Sequence, residues 1–386
     1  VGGKLLSKIL NLFVALPLLI AVASFCTNVN AEENYWQDAL AVNAYYTLGA
    51  TYSDSKIPVI SNGNVLRVLE EDELSFKNSI AGLQLRYDFA DAFSFFIQGS
   101  ALFNKDDDFD SSLDWAYLSY DMGADATVRA GRFQIPFLQG TELKSVGYSR
   151  LWASPLVPNS GAGGYKDYEG LEFLKKITFD SSNLNFQVAI GEPRHNLDFI
   201  DGKLLGLVSL GYESKNYWLR AALLQIDYEI STPSNLLIDD NAQAVMASLE
   251  AEYQYQKLIV NAGLSDSNTD ISPDSNMAYL SLAYQLSSRF TPYVMGKVSR
   301  LQFERFSVPG RRPPPGGRPP IGGPPEQPLG DDEANSFALG FRYDFTGNYA
   351  LKVQWEHVKA EDDSRASLGT VKNRGDVLSV FIEGVF

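Results

Sequence analysis

Histidine is scarce in this sequence. Only His195 and His357 offer an imidazole, and neither stands at a spacing from Ser or a carboxylate that suggests a catalytic triad. His195 falls in Glu192-Pro-Arg-His-Asn196, which reads as a loop, and His357 near the end of an alternating run. Triads are assembled in space, so hydrolysis stays as a minor alternative. No Cys/His zinc spacing and no phosphate-binding glycine loop is present. The acid runs Asp106-Asp-Asp108 and Asp331-Asp-Glu333 have the donors for weak Ca²⁺ binding but read more simply as solvated loop acids. The chemistry left is charge. Arg86, Arg129, Glu172, Lys176, Arg220, Glu250, Glu252, Lys297, Arg342, Lys352 and Glu356 fall on the polar side of alternating runs. Such residues form no covalent intermediates; arrayed around water, they steer ions and polar solutes. The expectation is a non-enzyme with no cofactor and no metal.

The elements that would position these charges are strands. Ala81, Leu83, Leu85, Tyr87 and Phe89 form one apolar row, opposed by Gln84, Arg86 and Asp88. Val245, Ala247, Leu249, Ala251 and Tyr253 oppose Ser248, Glu250 and Glu252, and Tyr349, Leu351, Val353 and Trp355 oppose Lys352, Gln354 and Glu356. Each run is about ten residues, the length a tilted strand needs to cross a bilayer. Tight links with turn residues, such as Asp88-Phe-Ala-Asp91, Asp121-Met-Gly-Ala-Asp125 and Asp344-Phe-Thr-Gly-Asn348, alternate with longer polar ones such as residues 53–77 and 104–111. Counting the runs gives about sixteen strands, with short turns on one side and long loops on the other. A soluble sandwich also alternates, but its strands are shorter. Aromatics such as Tyr343 and Phe345 also cluster at the run ends, where interfacial girdles belong. The fold class is therefore all-β: a transmembrane antiparallel β-barrel.

The front of the chain differs. Lys4 and Lys8 precede an apolar stretch from Ile9 to Phe25, which exits at Val29-Asn30-Ala31. That is the layout of a secretory signal peptide over 1–31, leaving 32–386 as the barrel. The single Cys26 lies in the removed part, with Phe25 before it a poor fit to a lipoprotein signal. The barrel then carries no disulfide. A net charge of −15 argues against nucleic acid as a partner. After Ala31 no apolar run is long enough for a transmembrane helix. One low-complexity insert, in 305–333, carries Pro-rich sequence around Arg311, Arg312 and Arg318. Proline keeps it out of a central ladder, so it reads as a loop outside the cell, a spacer or a surface ligand for a partner or for lipopolysaccharide.

Thr127-Val-Arg-Ala-Gly-Arg-Phe-Gln-Ile-Pro-Phe137 ends one strand and leads into a stretch of weak alternation up to Gly164. This resembles the segment of Gram-negative trimeric porins in which an R-x-G-x-F-x-x-P-F-like stretch enters an inward-folded constriction loop. The Asp344–Lys352 hairpin and the terminal Phe386 are similar to that family too. The resemblance implies a homotrimer in the outer membrane, among its lipid and lipopolysaccharide, with Phe386 read by the assembly machinery. It implies a constriction loop at 137–164 carrying Glu142, Lys144 and Arg150, with Trp152-Ala-Ser-Pro155 bracing it. The wall charges above would face that loop, and Arg132, of opposite parity to Arg129, would sit at the rim or follow a bulge. The implied activity is passive diffusion of ions and small hydrophilic solutes. Alternatives are a solute- or anion-selective channel, with Arg129, Lys144 and Arg150 lining its track, and a non-conducting barrel acting as receptor or scaffold. In the last strand, Leu378, Val380, Ile382 and Phe386 should meet lipid while Ser379 and Glu383 face inward, with Phe381 and Val385 breaking the rule.

Overall fold

Pleating sends successive side chains to opposite faces, and in this chain the alternation closes on itself. The structure, a computed structural model, describes residues 39–61, 65–69, 71–103, 109–138, 146–153, 165–195, 200–231, 237–270, 274–302, 331–362 and 371–386. The signal segment, residues 305–330 of the Pro-rich insert, and Glu142 and Lys144 lie outside them. The strands are β1 (Leu40–Ser53), β2 (Ile57–Ser61), β3 (Val65–Leu69), β4 (Leu74–Ser75), β5 (Ile80–Ala90), β6 (Phe93–Phe103), β7 (Phe109–Gly123), β8 (Ala126–Gln134), β9 (Tyr165–Thr178) and β10 (Ser182–His195). They continue with β11 (Ile200–Ser214), β12 (Tyr217–Ser231), β13 (Leu237–Tyr255), β14 (Leu258–Thr269), β15 (Asp274–Tyr284), β16 (Phe290–Gln302), β17 (Asp331–Thr346), β18 (Tyr349–Asp362) and β19 (Val371–Val385). Sixteen of these, β1 and β5 to β19, pair antiparallel with their neighbours, and β19 returns to β1. The ring is closed.

Three local readings change, the first being that Asp331 to Glu333, expected as loop acids, begin β17. The long link after β1, expected to be an irregular polar loop, contains the β2–β3 hairpin, and β4 adds a short pairing to β1. The hairpin's Leu69 packs against Val358 and Val377. His195, expected in a loop, is the last residue of β10 and pairs across to Tyr165.

The barrel's outside is apolar. Leu223 and Leu264, 62% and 56% exposed, stand with Leu249, Leu280, Val298 and Ile382 on one continuous outward face. A soluble sandwich would have buried that surface; a bilayer accepts it. Rings gather where the short turns lie. Phe89 stacks on Phe93 at 5.8 Å, Phe93 meets Tyr120 at 4.7 Å, and Tyr253 lies parallel to Tyr255. The β7–β8 turn shows the required hairpin chemistry, with Ala124 and Asp125 both at positive φ (50° and 57°). In β8, Gly131 has φ 143°, and a Cβ there would overlap the carbonyl oxygen of Ala116 on β7. This explains the glycine of the motif that ends β8.

The closing strand ends in the ring belt. The Phe386 N–H donates to the Ala44 carbonyl and the Ala44 N–H to Phe386, while the Phe386 ring stacks on Tyr46 at 6.0 Å and meets Tyr349 edge-on at 5.6 Å. Phe381, inward and unexplained by alternation, is 3% exposed and lies over Gly49 of β1, which leaves it room. Deleting Phe386 removes two backbone bonds and two ring contacts from the seam. The expected result is less heat-modifiable folded barrel in the membrane fraction, with unchanged conductance in the barrels that form. Normal yield of the deletion would overturn this.

Candidate functional site

Inside the barrel, register rather than parity alone decides what a side chain does. The ladders place Arg86, Arg129, Glu172, Lys176, Arg220, Glu250, Glu252, Lys297, Arg342, Lys352 and Glu356 on the inner face. Arg132 is a correction. It pairs with Glu169 across β8 and β9 on the outward face, Nη2 to Oε1 2.5 Å, so it lines no lumen. The register runs straight through to Gln134, so no bulge after Arg129 turns it inward.

The link after β8 enters the barrel. Its first part, Ile135 to Leu138, is buried against an inner wall that is itself apolar: Leu205, Leu207, Leu224, Ile226, Ala244 and Met246 of β11 to β13. Phe137 is 0% exposed. Its carbonyl accepts from Ser248 Oγ at 2.9 Å and from Arg220 Nη1 at 3.3 Å, and Arg220 Nη2 donates to the Pro136 carbonyl. The outer face of the same strands is apolar along most of its length, and it carries charge near the start of β11, where Lys203 bridges Asp201 and Glu229 at 2.6 and 3.1 Å. The loop supplies the apolar cover that lets this wall be dry inside.

The second described part, Val146 to Ala153, docks on β16 to β19 and β1. Tyr148 Oη donates to the Gly347 carbonyl in the β17–β18 turn at 2.6 Å. Arg342 Nη1 donates to the carbonyls of Tyr148 and Arg150 at 2.7 and 3.1 Å, and the guanidinium lies 4.4 Å from the Tyr148 ring centre. Asp344 holds Arg342 from the other side at 2.8 Å. Lys352 Nζ donates to the Gly147 carbonyl at 2.8 Å and to that of Trp152 at 3.4 Å, while pairing with Glu383 Oε2 at 2.6 Å. Both partners are fully buried. Ala153 N–H donates to Gln354 Oε1 at 3.2 Å and Tyr293 Oη at 3.3 Å, and Trp152 meets Tyr279 edge-on at 6.1 Å. Ser154 and Pro155 lie outside the described residues. A Cβ on Gly147 would overlap Glu383 Oε1 and Thr47 Oγ1. Only glycine lets the chain pass this close to the seam between β19 and β1.

The structure therefore divides the predicted charges. Lys297 (to Glu356, 3.5 Å), Lys352 and Glu356 are buried, and Arg342 is half-buried in its clamp. Glu172 is buried as well, taking Tyr168 Oη at 2.5 Å, Gln187 at 3.3 Å and Arg129 at 3.5 Å, and Glu250 accepts from Tyr279 Oη at 3.1 Å. Arg150 is half-buried in the docked loop. Arg86 (with Asp88, 2.8 Å) and Lys176 are exposed, and Arg129, Arg220 and Glu252 are partly so. His357 faces outward and pairs with Asp376 at 2.7 Å. Sequence reading missed Gly147, Tyr148, Tyr293 and Gln354 as anchors. The one available signal was a glycine-tyrosine pair inside a loop already expected to fold inward.

No known protein family matches this sequence, and no curated protein does. Solved structures do match. The outer-membrane channel DcaP of Acinetobacter baumannii is 11% identical with a TM-score of 0.58, over 93% of this chain and 100% of that one. The anion-selective porin from Comamonas acidovorans is 12% identical with a TM-score of 0.54, over 90% and 99%. OmpT, an outer-membrane protein of Vibrio cholerae in trimer form, is 11% identical with a TM-score of 0.52, over 90% and 100%. At such identities the likeness is one of fold: this chain is a closed 16-stranded antiparallel transmembrane β-barrel, the architecture those outer-membrane proteins have.

The buried pair makes a direct prediction. Lys352→Met leaves the Glu383 carboxylate buried without its cation, and breaking such a pair costs about 3–5 kcal/mol. Lys352→Met with Glu383→Leu should recover most of that loss. Urea titration of the refolded barrel, read by gel mobility, checks the order; a double variant no more stable than the single one would contradict it.

Proposed function

We propose that this protein is an outer-membrane channel for passive diffusion of ions and small hydrophilic solutes, working as a homotrimer in a Gram-negative outer membrane. One observation carries the reading: a loop folded into the lumen and fastened to the wall at Gly147, Tyr148, Arg150, Trp152 and Ala153, beside inner charges that remain accessible. A scaffold barrel has no need of a loop held this firmly at one height. The similar structures include a channel, a porin and a trimer, which supports the same reading.

The mechanism is exclusion and field, with no covalent step. The docked loop narrows the lumen on the β16–β19 side, and size sets a first limit on what crosses. The accessible Arg129, Lys176 and Arg220 lie on β8 to β12, across from the docked segment, with Arg86 on β5 next to β1 and the partly exposed Glu252 on β13, so solutes pass between the loop and a mainly basic wall. In a low-dielectric enclosure that wall orders dipoles and raises the local concentration of anions. The short turns, including 347–348, face the periplasm and the long links face outward.

Planar-bilayer recording of the refolded chain should give discrete conductance steps; their absence would sink the proposal. Gly147→Val should lift the loop off the seam and enlarge the step, and Arg129→Glu should move the reversal potential toward cations. An unchanged step in the first variant would remove the loop from the role of constriction.

A further inference from the structure

We propose that the inner wall of β8 to β12 holds a binding station for amphipathic organic anions, meaning carboxylates that carry an apolar group; its place on a transport path rests on the channel reading above. A cavity of about 460 Å³ opens there, lined by Arg129, Lys176 and Arg220 together with Trp218, Leu174 and Leu138. Cations and large apolar side chains around one space make an uncommon lining for a wall meant only to pass hydrated ions. An inorganic anion keeps its water and has no use for an indole. An arene or alkyl carboxylate uses both halves.

The charges are arranged for capture. Lys176 stands on the inner face of β9 opposite Asn185 and is exposed, and its ammonium makes no ion pair among the described residues. Arg129 is held in place with its guanidinium 5.3 Å from the Tyr117 ring centre and Nη1 3.5 Å from Glu172. The acids near the cavity are that buried Glu172, already engaged by Tyr168 and Gln187, Asp125 at the turn-end rim, Glu213 and Glu252 on either side of Trp218, and Glu250 beside Arg220, which is buried and accepts from Tyr279. A carboxylate at Lys176 on β9 is thus separated from Glu213 and Glu252, which flank Trp218 at the β12 side of the cavity. Arg220, while lining the cavity, also grips the carbonyls of Pro136 and Phe137, so Leu138 of the loop forms part of the apolar surface. The station therefore touches the base of the constriction loop, where an occupant would obstruct the lumen.

Benzoate tests this, with benzamide as its neutral isostere and sulfate as a purely ionic control. In the refolded full chain in micelles, benzoate should quench tryptophan emission saturably, and benzamide and sulfate should not. Trp218→Phe should remove the signal, assigning it to the station. Lys176→Gln should weaken benzoate roughly tenfold, the scale of one charge-assisted hydrogen bond. In bilayers benzoate should block the current with the same order among variants. Equal quenching by benzamide, or no effect of Lys176→Gln, would overturn the station. Conductance untouched by benzoate would also remove it while leaving the channel standing. Lys176-dependent benzoate binding in a barrel without conductance would keep the station and remove the channel.

Discussion

A strand in hydrocarbon has no water to take up an unpaired N–H or C=O, so a sheet in a bilayer cannot have an edge. Everything else in this molecule follows from how the last edge is removed. β19 meets β1 over nine residue pairs, Tyr45–Val385 to Ser53–Val377, and the chain's final residue completes the seam through Ala44. The inward-folded loop is fastened to the same seam. Glu383 lies on β19, its cation Lys352 on β18, and Thr47 on β1, and Gly147 passes over all three. The inward-folded loop thus has this seat only when the ring is shut.

Burying an ion pair there is costly in desolvation, and a pair of apolar side chains often serves stability as well. What the pair supplies is direction. An ammonium has three donors, and Lys352 places one on Glu383 and the others on the Gly147 and Trp152 carbonyls. A methionine would fill the space without satisfying those oxygens. Arg342 repeats the device one strand away with a planar fork, and Asp344 fixes its orientation. On this half of the inner wall Lys352 and Arg342 hold the loop.

That division marks the limit of what the sequence disclosed. The barrel was legible because alternation over some ten residues, short polar turns and terminal aromatics are local patterns, and each survives into the structure as lipid face, hairpin and girdle. Inner-facing parity was legible for the same reason, from Arg86 to Glu356. Which inner charges still touch water was not, because it depends on where 135–153 lies, and weak alternation carries no address. The apolar interior of β11 to β13 was hidden similarly: Leu205, Leu207, Leu224 and Ile226 make no sense until Phe137 covers them. Arg132 was misplaced among the lining residues by weighing charge above the parity that set it apart. The β2–β3 hairpin did leave a signal, since Asn62-Gly63 sits between two apolar runs as a tight hairpin would require.

Net charge is the last case in which a global quantity and a local one diverge. The chain carries 47 acids against 32 bases, and composition alone points to a preference for cations. Yet the inner acids Glu172, Glu250, Glu356 and Glu383 are buried and engaged, like the bases Lys297 and Lys352, whereas Arg86, Lys176, Arg129 and Arg220, with the acid Glu252, keep at least part of their surface in the lumen. Asp201 and Glu229 stand on the outside of the wall, where the barrel screens them from anything crossing it. With a Debye length of about 8 Å at physiological ionic strength, a permeating ion responds to the charges beside it and to few others. What an ion in the lumen meets therefore depends on which inner side chains stay accessible, and burial has withdrawn Lys297 and Lys352 as well as Glu172, Glu250, Glu356 and Glu383.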